Sequence, residues 1–371
     1  PGSPPQVQKM FAALGYKPTL QRGKTAPSTD ELSLKKFSES NPLYERIANL
    51  ILAVRGNTKA VSTYFKVPLW HNKLFYKLDP FGTETARMAS QSSSFWCGTQ
   101  IQNIPLYARD MIIPIKGWKF GAVDKAQSES YCTGFISQDA NLIKAVTTSP
   151  DFHKHNASMF FGVPFSEITK QMRTWAKPIN HGANYNMTAP TLVDLFIKVQ
   201  GSMALRRVGK LLGLPLSASL MLIAQRCLDT FDRTYPRLRS TWYKELIAEV
   251  MRTGKLVTPV GYTRRTFLKP WENKLHMNAC AAFKPQSTSV SLVNKAFFKI
   301  WRELQLGKYQ GSFRLKKQVH DEIVFMAKDY LVETCAKEVA DMMVIPTTIN
   351  GRLMTIPSTY ETGSNWAEIK G

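Results

Sequence analysis

The segment RTWAKPINHGANYN, Arg173–Asn186, sets Arg173, Lys177, His181, Asn184 and Tyr185 at intervals of four, four, three and one. On a helix, residues three and four apart share a face, so this spacing predicts one side carrying all five. Two cations, an imidazole and a phenol make a poor core stripe. They suit a triphosphate held by the cations with a planar base stacked above it. An ordinary amphipathic basic helix would carry the same stripe, so the neighbouring motifs must decide between the two.

Two carboxylates supply that company. The stretch WKFGAVD, Trp118–Asp124, reads as an apolar strand ending at Asp124. Phe313–Gln318 and Ile323–Ala327 flank VHDE, Val319–Glu322, which reads as a hairpin with Asp321 and Glu322 at its turn. Alone, each aspartate would be a solvated or turn-capping group. On neighbouring strands of one sheet they would suit two Mg²⁺ ions, because Mg²⁺ takes one or two carboxylates plus substrate phosphates. Such ions activate a 3′-hydroxyl and stabilise departing pyrophosphate. Arg173 and Lys177 would neutralise the β- and γ-phosphates as that group leaves.

The composition agrees with a polyanionic partner. A formal charge of +22 in 371 residues implies phosphate neutralisation by Lys and Arg. An anionic membrane is the rival, but the sequence has no apolar run of about 18 residues and no signal peptide or amphipathic anchor. Nucleic acid is the better reading, with no membrane. Cys97, Cys132, Cys227, Cys280 and Cys335 stand singly, which argues against a disulfide framework or zinc site and for a reducing compartment. His153 and His155 lack companions for a metal site and read as structural.

These groups need a scaffold. Residues 1 to about 35 read as mostly irregular, with a short helix near Gln6–Leu14, and Pro42–Tyr64 as a helix. Gly82–Pro105 is turn-rich. Helical periods dominate from Asp139 to Val250, with Gly201–Leu214 (Arg206, Arg207, Lys210) as a basic insertion that is a solvated face or a nucleic-acid contact. A helix near Leu331–Met343 and a last strand near Leu353–Tyr360 complete an α+β pattern, a small antiparallel sheet with a large helical excursion.

Four ordered blocks resemble the polymerase module of family A DNA polymerases, the bacterial DNA polymerase I type, in a divergent, phage-like form. VDKAQSES (Val123–Ser130) resembles motif A, RTWAKPINHGANYN motif B and VHDE motif C; TETARMAS (Thr83–Ser90) with QNIP (Gln102–Pro105) resembles the upstream Thr-x-Thr-Gly-Arg and Gln-Asn-Ile-Pro block. The resemblance implies a right-hand fold: an antiparallel-sheet palm from about 80–140 and 260–371, helical fingers over about 141–259, and a truncated helical thumb in 1–79. It implies a template-directed DNA polymerase using Mg²⁺, with Mn²⁺ able to substitute, on primer-template DNA and dNTPs.

Residue by residue, the resemblance makes Asp124, Asp321 and the Lys125 carbonyl metal ligands, with Glu322 in the catalytic group. Arg173 and Lys177 match the triphosphate cations; His153, Gln127 and His181 fall to the nucleotide site, and Tyr185 to the ring that stacks at the templating position. Glu129 matches the gate that closes off a ribose 2′-hydroxyl. Gln286 and Arg87 would test minor-groove geometry, which hardly varies among correct pairs. His320, Gln102, Asn103 and Arg265 complete the DNA contacts.

The departures are His181 for Phe or Tyr, Asn186 for Gly, Lys125, Ala126 and Ser128 for Tyr, Ser and Ile, and Ala86 for Gly. Pro178, just after Lys177, predicts a bend. Nothing resembles a 3′–5′ exonuclease, and the thumb looks half built, so the expectation is a fragment, or an exonuclease, thumb-bearing chain or processivity factor supplied separately, with low processivity alone. A bacterial host cytoplasm is the expected location. A single-subunit RNA polymerase is the nearest rival, disfavoured by Glu129; a silent DNA-binding scaffold is another, disfavoured by the retained aspartates.

Overall fold

The computed structural model describes residues 2–18, 26–80, 82–92, 95–266, 269–319 and 321–369. It divides into two compact units, one of Pro1–Val67, His153–Ala183 and Met187–Thr234, the other of Pro68–Phe152, Asn184–Asn186 and Tyr235–Gly371.

The second unit is built on a four-stranded antiparallel sheet in the order Ser358–Gly363, Trp118–Lys125, Glu322–Lys328, Phe313–Val319. Trp118–Lys125 is buried along most of its length because it has a strand on each side. Its register with the next strand is tight at one point. Gly121 faces Phe325, and a Cβ on Gly121 would sit 2.2 Å from the ring's Cζ. The ring can therefore lie across the strand only where there is no side chain.

Helix Val332–Met343 covers the sheet with Val332, Cys335, Ala336, Val339 and Met343, an i, i+3, i+4, i+7 pattern that puts one face inward. The helix Lys274–Gln305 adds Val293, Ala296 and Ile300 to the same core. It runs for 32 residues, starts where the Asn273 side chain accepts from the Leu275 N–H at 2.8 Å, and contains Pro285. The sequence reading missed it.

The first unit is helical. Pro4–Ala13, Glu31–Ser40 and Pro42–Ala60 bury Val7, Phe11, Leu34, Phe37, Ala48 and Ile51 together, with Phe37 stacked on Tyr44 at 4.5 Å. Local chemistry sets the breaks: Asp30 caps one helix through the Ser33 N–H, and Asn41 caps the next, which begins with Pro42. Helices Phe152–Phe161, Lys170–Asn184, Ala189–Val199, Ser202–Leu211 and Leu220–Thr234 follow.

Three expectations are corrected. The basic stretch after Gly201 is a regular helix, Ser202–Leu211; Leu205 and Val208 face inward and Arg206, Arg207 and Lys210 outward. The last strand is two: Arg352–Met354 pairs with Thr347–Ile349, and Ser358–Gly363 joins the main sheet beyond Pro357, which has no N–H for a ladder. In the VHDE hairpin Glu322 opens the return strand, paired with Asp124 and Val319, so of the two carboxylates Asp321 alone lies in the turn. The five cysteines are buried and unpaired. Among the described residues no helix is long and apolar enough to cross a membrane.

Candidate active site

The sheet unit brings the two aspartates together. Asp124 lies at the end of its strand directly opposite Glu322, and the Lys125 N–H donates to the Asp321 carbonyl at 3.3 Å. The Asp124 and Asp321 carboxyl groups hydrogen-bond each other. Burial first, then the charges of Asp321 and Glu322, push the Asp124 carboxyl from 3.8 up to about 8. Adjacent buried acids cannot both ionise without a compensating cation.

Among the described residues there is no cluster of three or more His, Cys, Asp and Glu able to hold a metal by itself. Two hard carboxylate groups nevertheless fit Mg²⁺, which completes its shell with water and phosphate. The Lys125 side chain turns inward, fully buried, and donates to the Met343 carbonyl. Burial lowers its ammonium to about 8. Only its backbone carbonyl is suited to a cation.

Glu322 is buried, and burial raises its carboxyl above the usual range against the pull of Lys317 and Arg109. Lys317, itself buried, holds its ammonium 3.4 Å from the centre of the Trp366 ring, and Arg109 lies over the same ring at 4.7 Å. The sequence reading missed this counter-charge. Its one signal was the Lys316–Lys317 pair in a strand, where alternation must turn one lysine inward.

A second network centres on Glu129, in the first turn of the buried helix Ser128–Ser137. One carboxylate oxygen accepts from Arg87 Nη2 and the other from the Tyr185 hydroxyl. Gln286 also hydrogen-bonds the Tyr185 side chain, and burial followed by the Glu129 charge holds that phenol well above its usual range. Four residues singled out for separate roles thus form one cluster. Gln127, half-buried with φ of 53°, makes the left-handed entry to this helix.

The DNA-contact candidates divide. Gln102 is committed internally: its amide donates to the carbonyls of Met88 (3.0 Å) and Gln318 (3.1 Å) and accepts from the Ser90 N–H (2.9 Å). Asn103 is exposed and donates to the Gln100 side chain at 2.7 Å. Arg265 is exposed on the hairpin Lys255–Val257/Thr263–Arg265, while its neighbour Arg264 pairs with Glu84. His320 lies outside the described residues.

In the helical unit, Lys170–Asn184 buries Met172, Trp175, Ala176, Ile179 and Ala183, leaving half-buried Arg173 and exposed Lys177 and His181 at intervals of four. Asn184 and Tyr185 group with the sheet unit, where the Tyr243 hydroxyl donates to the Asn184 carbonyl at 3.0 Å. His153 is buried with its ring 5.6 Å from that of His181. Asn156 donates to Asn180 Oδ1 (2.6 Å), so Asn180 Nδ2 donates to His153 Nδ1 (2.9 Å). In the neutral ring the proton then sits on Nε2.

The model of DNA polymerase family A matches residues 1–368. The chain belongs to that family. It is 28% identical to the thermostable DNA polymerase I of Thermus aquaticus across 97% of this chain and 41% of that protein. With DNA polymerase I of Bacillus subtilis (strain 168) it shares 24% identity across 97% and 38%. It thus spans about two-fifths of these curated relatives. The POL domain of Pol1 from M. smegmatis, solved in complex with DNA primer-template and dNTP, superposes with a TM-score of 0.73 at 19% identity, across 99% of this chain and 61% of that one. The fold is therefore that of a family A polymerase domain, mixed helix and antiparallel sheet.

Two departures of this family A member have local reasons. Ser128 meets the Ser289 hydroxyl of the long helix at 2.5 Å, so a small polar pair fills a buried contact. Asn186, where the family has Gly, keeps a positive φ of 60°, a conformation Asn tolerates better than most residues.

Proposed function

We propose that this chain is the polymerase module of a template-directed DNA polymerase that adds dNTPs to a primer 3′ end by phosphoryl transfer. The observation that carries the reading is the Asp124–Asp321 pair, in which burial and the charge of Asp321 raise the Asp124 carboxyl. Asp124, Asp321 and the Lys125 carbonyl would hold two Mg²⁺ ions, or Mn²⁺ in their place, with Glu322 behind them. Bound there, the metal would acidify the primer hydroxyl and stabilise the departing pyrophosphate.

The remaining roles follow from residue chemistry. Arg173 and Lys177 neutralise the β- and γ-phosphates, and His153 offers its Nε2–H to them. His181 covers the incoming sugar and base, and Gln127 also serves the nucleotide. Tyr185 guards the templating position, and Glu129 occupies the space a 2′-hydroxyl needs. Arg87 and Gln286 test minor-groove geometry; Asn103, Arg265 and His320 contact the DNA, and Gln102 shapes that surface from within. The palm comprises about 80–140 and 260–371, the fingers 141–259 and a thumb element 1–79.

The altered motif positions Lys125, Ser128, His181 and Asn186 support a divergent, phage-type member acting in DNA replication in a bacterial cytoplasm. Its partners would be primer-template DNA and dNTPs, with an exonuclease, thumb-bearing chain or processivity factor as a further partner. Extension of a labelled primer on a defined template with Mg²⁺ tests the reading. Template-directed products from wild type, absent with Asp321→Ala, are expected. Tight DNA binding without extension would favour a scaffold.

A further inference from the structure

Within the sheet unit, Trp70, Phe95 and Trp96 leave 48, 71 and 68% of their surfaces in solvent. Single exposed apolar residues are ordinary, but three large aromatics on adjoining segments are not. The Trp70 and Trp96 rings meet edge-on at 5.8 Å, and the His71 ring packs against Trp70 at 4.7 Å.

The rings ride on a fastened loop. Trp70 and Lys73 exchange backbone hydrogen bonds of 3.2 and 2.9 Å around His71 and Asn72, both at positive φ, the geometry of a tight two-residue hairpin. The Gly98 N–H donates to the Pro68 carbonyl (3.0 Å) and the Thr99 N–H to that of Phe75 (3.1 Å). A Cβ on Gly98, at φ +101°, would lie 2.2 Å from the Phe75 oxygen, so backbone meets backbone there.

Cations adjoin this loop. Lys73 lies close enough to Lys316 to lower its ammonium, as do burial, the largest cause, and Arg314. The Tyr76 hydroxyl donates to the Lys316 carbonyl at 2.6 Å, tying the loop's strand to the sheet edge. Among the described residues none of Lys73, Arg314 and Lys316 has a carboxylate partner. Charges on an edge strand also discourage strand-to-strand aggregation. That accounts for Arg314 and Lys316 but not for the exposed indoles.

We propose that Trp70, Trp96 and Phe95 form a stacking platform for single-stranded DNA, with Lys73, Lys316 and Arg314 following its phosphates. Aromatic rings stack on any base, so the platform holds a strand without reading sequence, and the cations make the hold salt-dependent. The choice of DNA as the strand rests on the proposed polymerase function; the rings and charges do not.

The test is the affinity of the full chain for a fluorescein-labelled oligothymidylate, by anisotropy at two salt concentrations. The combined Trp70→Ala, Trp96→Ala variant should bind about tenfold more weakly, while the Trp70→Phe, Trp96→Phe pair keeps most of the affinity. Extension of a primer on a template with a two-nucleotide overhang should not change. Wild-type affinity in an alanine variant that matches wild type in circular dichroism and melting would overturn the platform and leave a protein-docking face. Equal loss in the phenylalanine pair would also overturn it, because stacking survives that change. Failure of wild type to extend any primer, with the Trp dependence intact, would sink the polymerase reading alone.

Discussion

The Tyr185 hydroxyl donates to the carboxylate of Glu129, whose other oxygen accepts from Arg87. Glu129 is thereby fixed at both oxygens on a buried helix. A fixed carboxylate makes a better steric barrier than a mobile one, because moving it out of the way breaks two hydrogen bonds to which its charge contributes.

Glu129→Ala should therefore admit ribonucleotides. Discrimination between dNTP and rNTP, measured as the ratio of kcat/KM, should fall by about 10- to 200-fold. Tyr185→Phe, which releases one oxygen, should show a smaller fall in the same direction. An unchanged ratio in Glu129→Ala would remove the gate assignment.

The acidic pair predicts an inverted pH dependence in metal-free protein. In the fold Asp124 keeps its proton to about pH 8, whereas its ordinary value is 3.8. At Asp124 the native state binds more protons than the unfolded chain between those limits, so this group's contribution to stability falls as pH rises. Burial raises Glu322 in the same sense, whereas Lys317, which burial lowers to about 7, acts the other way above that pH. In EDTA, the melting temperature should drop from about pH 5 to pH 7. Asp124→Asn should flatten the slope and melt higher than wild type at the alkaline end. A wild-type melting temperature that climbs over this range would contradict the pair's geometry.

Lys317 and Arg109 oppose the buried charge of Glu322. Lys317→Ala removes one of the two and leaves a cavity against Trp366, so it should cost roughly 3 kcal/mol in urea unfolding. Lys317→Arg should recover part of this. A midpoint within error of wild type for the alanine variant would mean that Arg109 suffices.

The Gly121–Phe325 contact supplies a packing test. Gly121→Ala should destabilise by about 1–3 kcal/mol. Adding Phe325→Leu should return some of that, giving a coupling energy that separate sites would not show.

Much of this site is legible in the sequence, for physical reasons. Trp118–Asp124 is apolar and bounded, so its strand and terminal carboxylate stand out, as does the Arg173, Lys177, His181 stripe. The helix Lys274–Gln305 does not, because its buried face carries small and polar residues such as Ala281, Ser287, Thr288 and Ser289, and Pro285 interrupts it. Hydrophobic periodicity cannot detect a helix that packs closely through hydroxyls. Lys317 was hidden for a related reason: only the bulged register at Leu315/Lys317 decides which lysine turns inward. The Glu129–Tyr185–Arg87 network joins residues 42 and 56 positions apart, which no local pattern records.

In the proposed function Asp124 and Asp321 act together in metal-assisted phosphoryl transfer. Its most direct test is single-turnover incorporation of one dNTP by wild type, Asp124→Asn and Asp321→Asn, with primer-template affinity measured alongside. Losing several kcal/mol of transition-state stabilisation predicts a rate lower by about a thousandfold or more in each variant, with DNA affinity nearly unchanged. Incorporation at the wild-type rate in either variant would contradict the account.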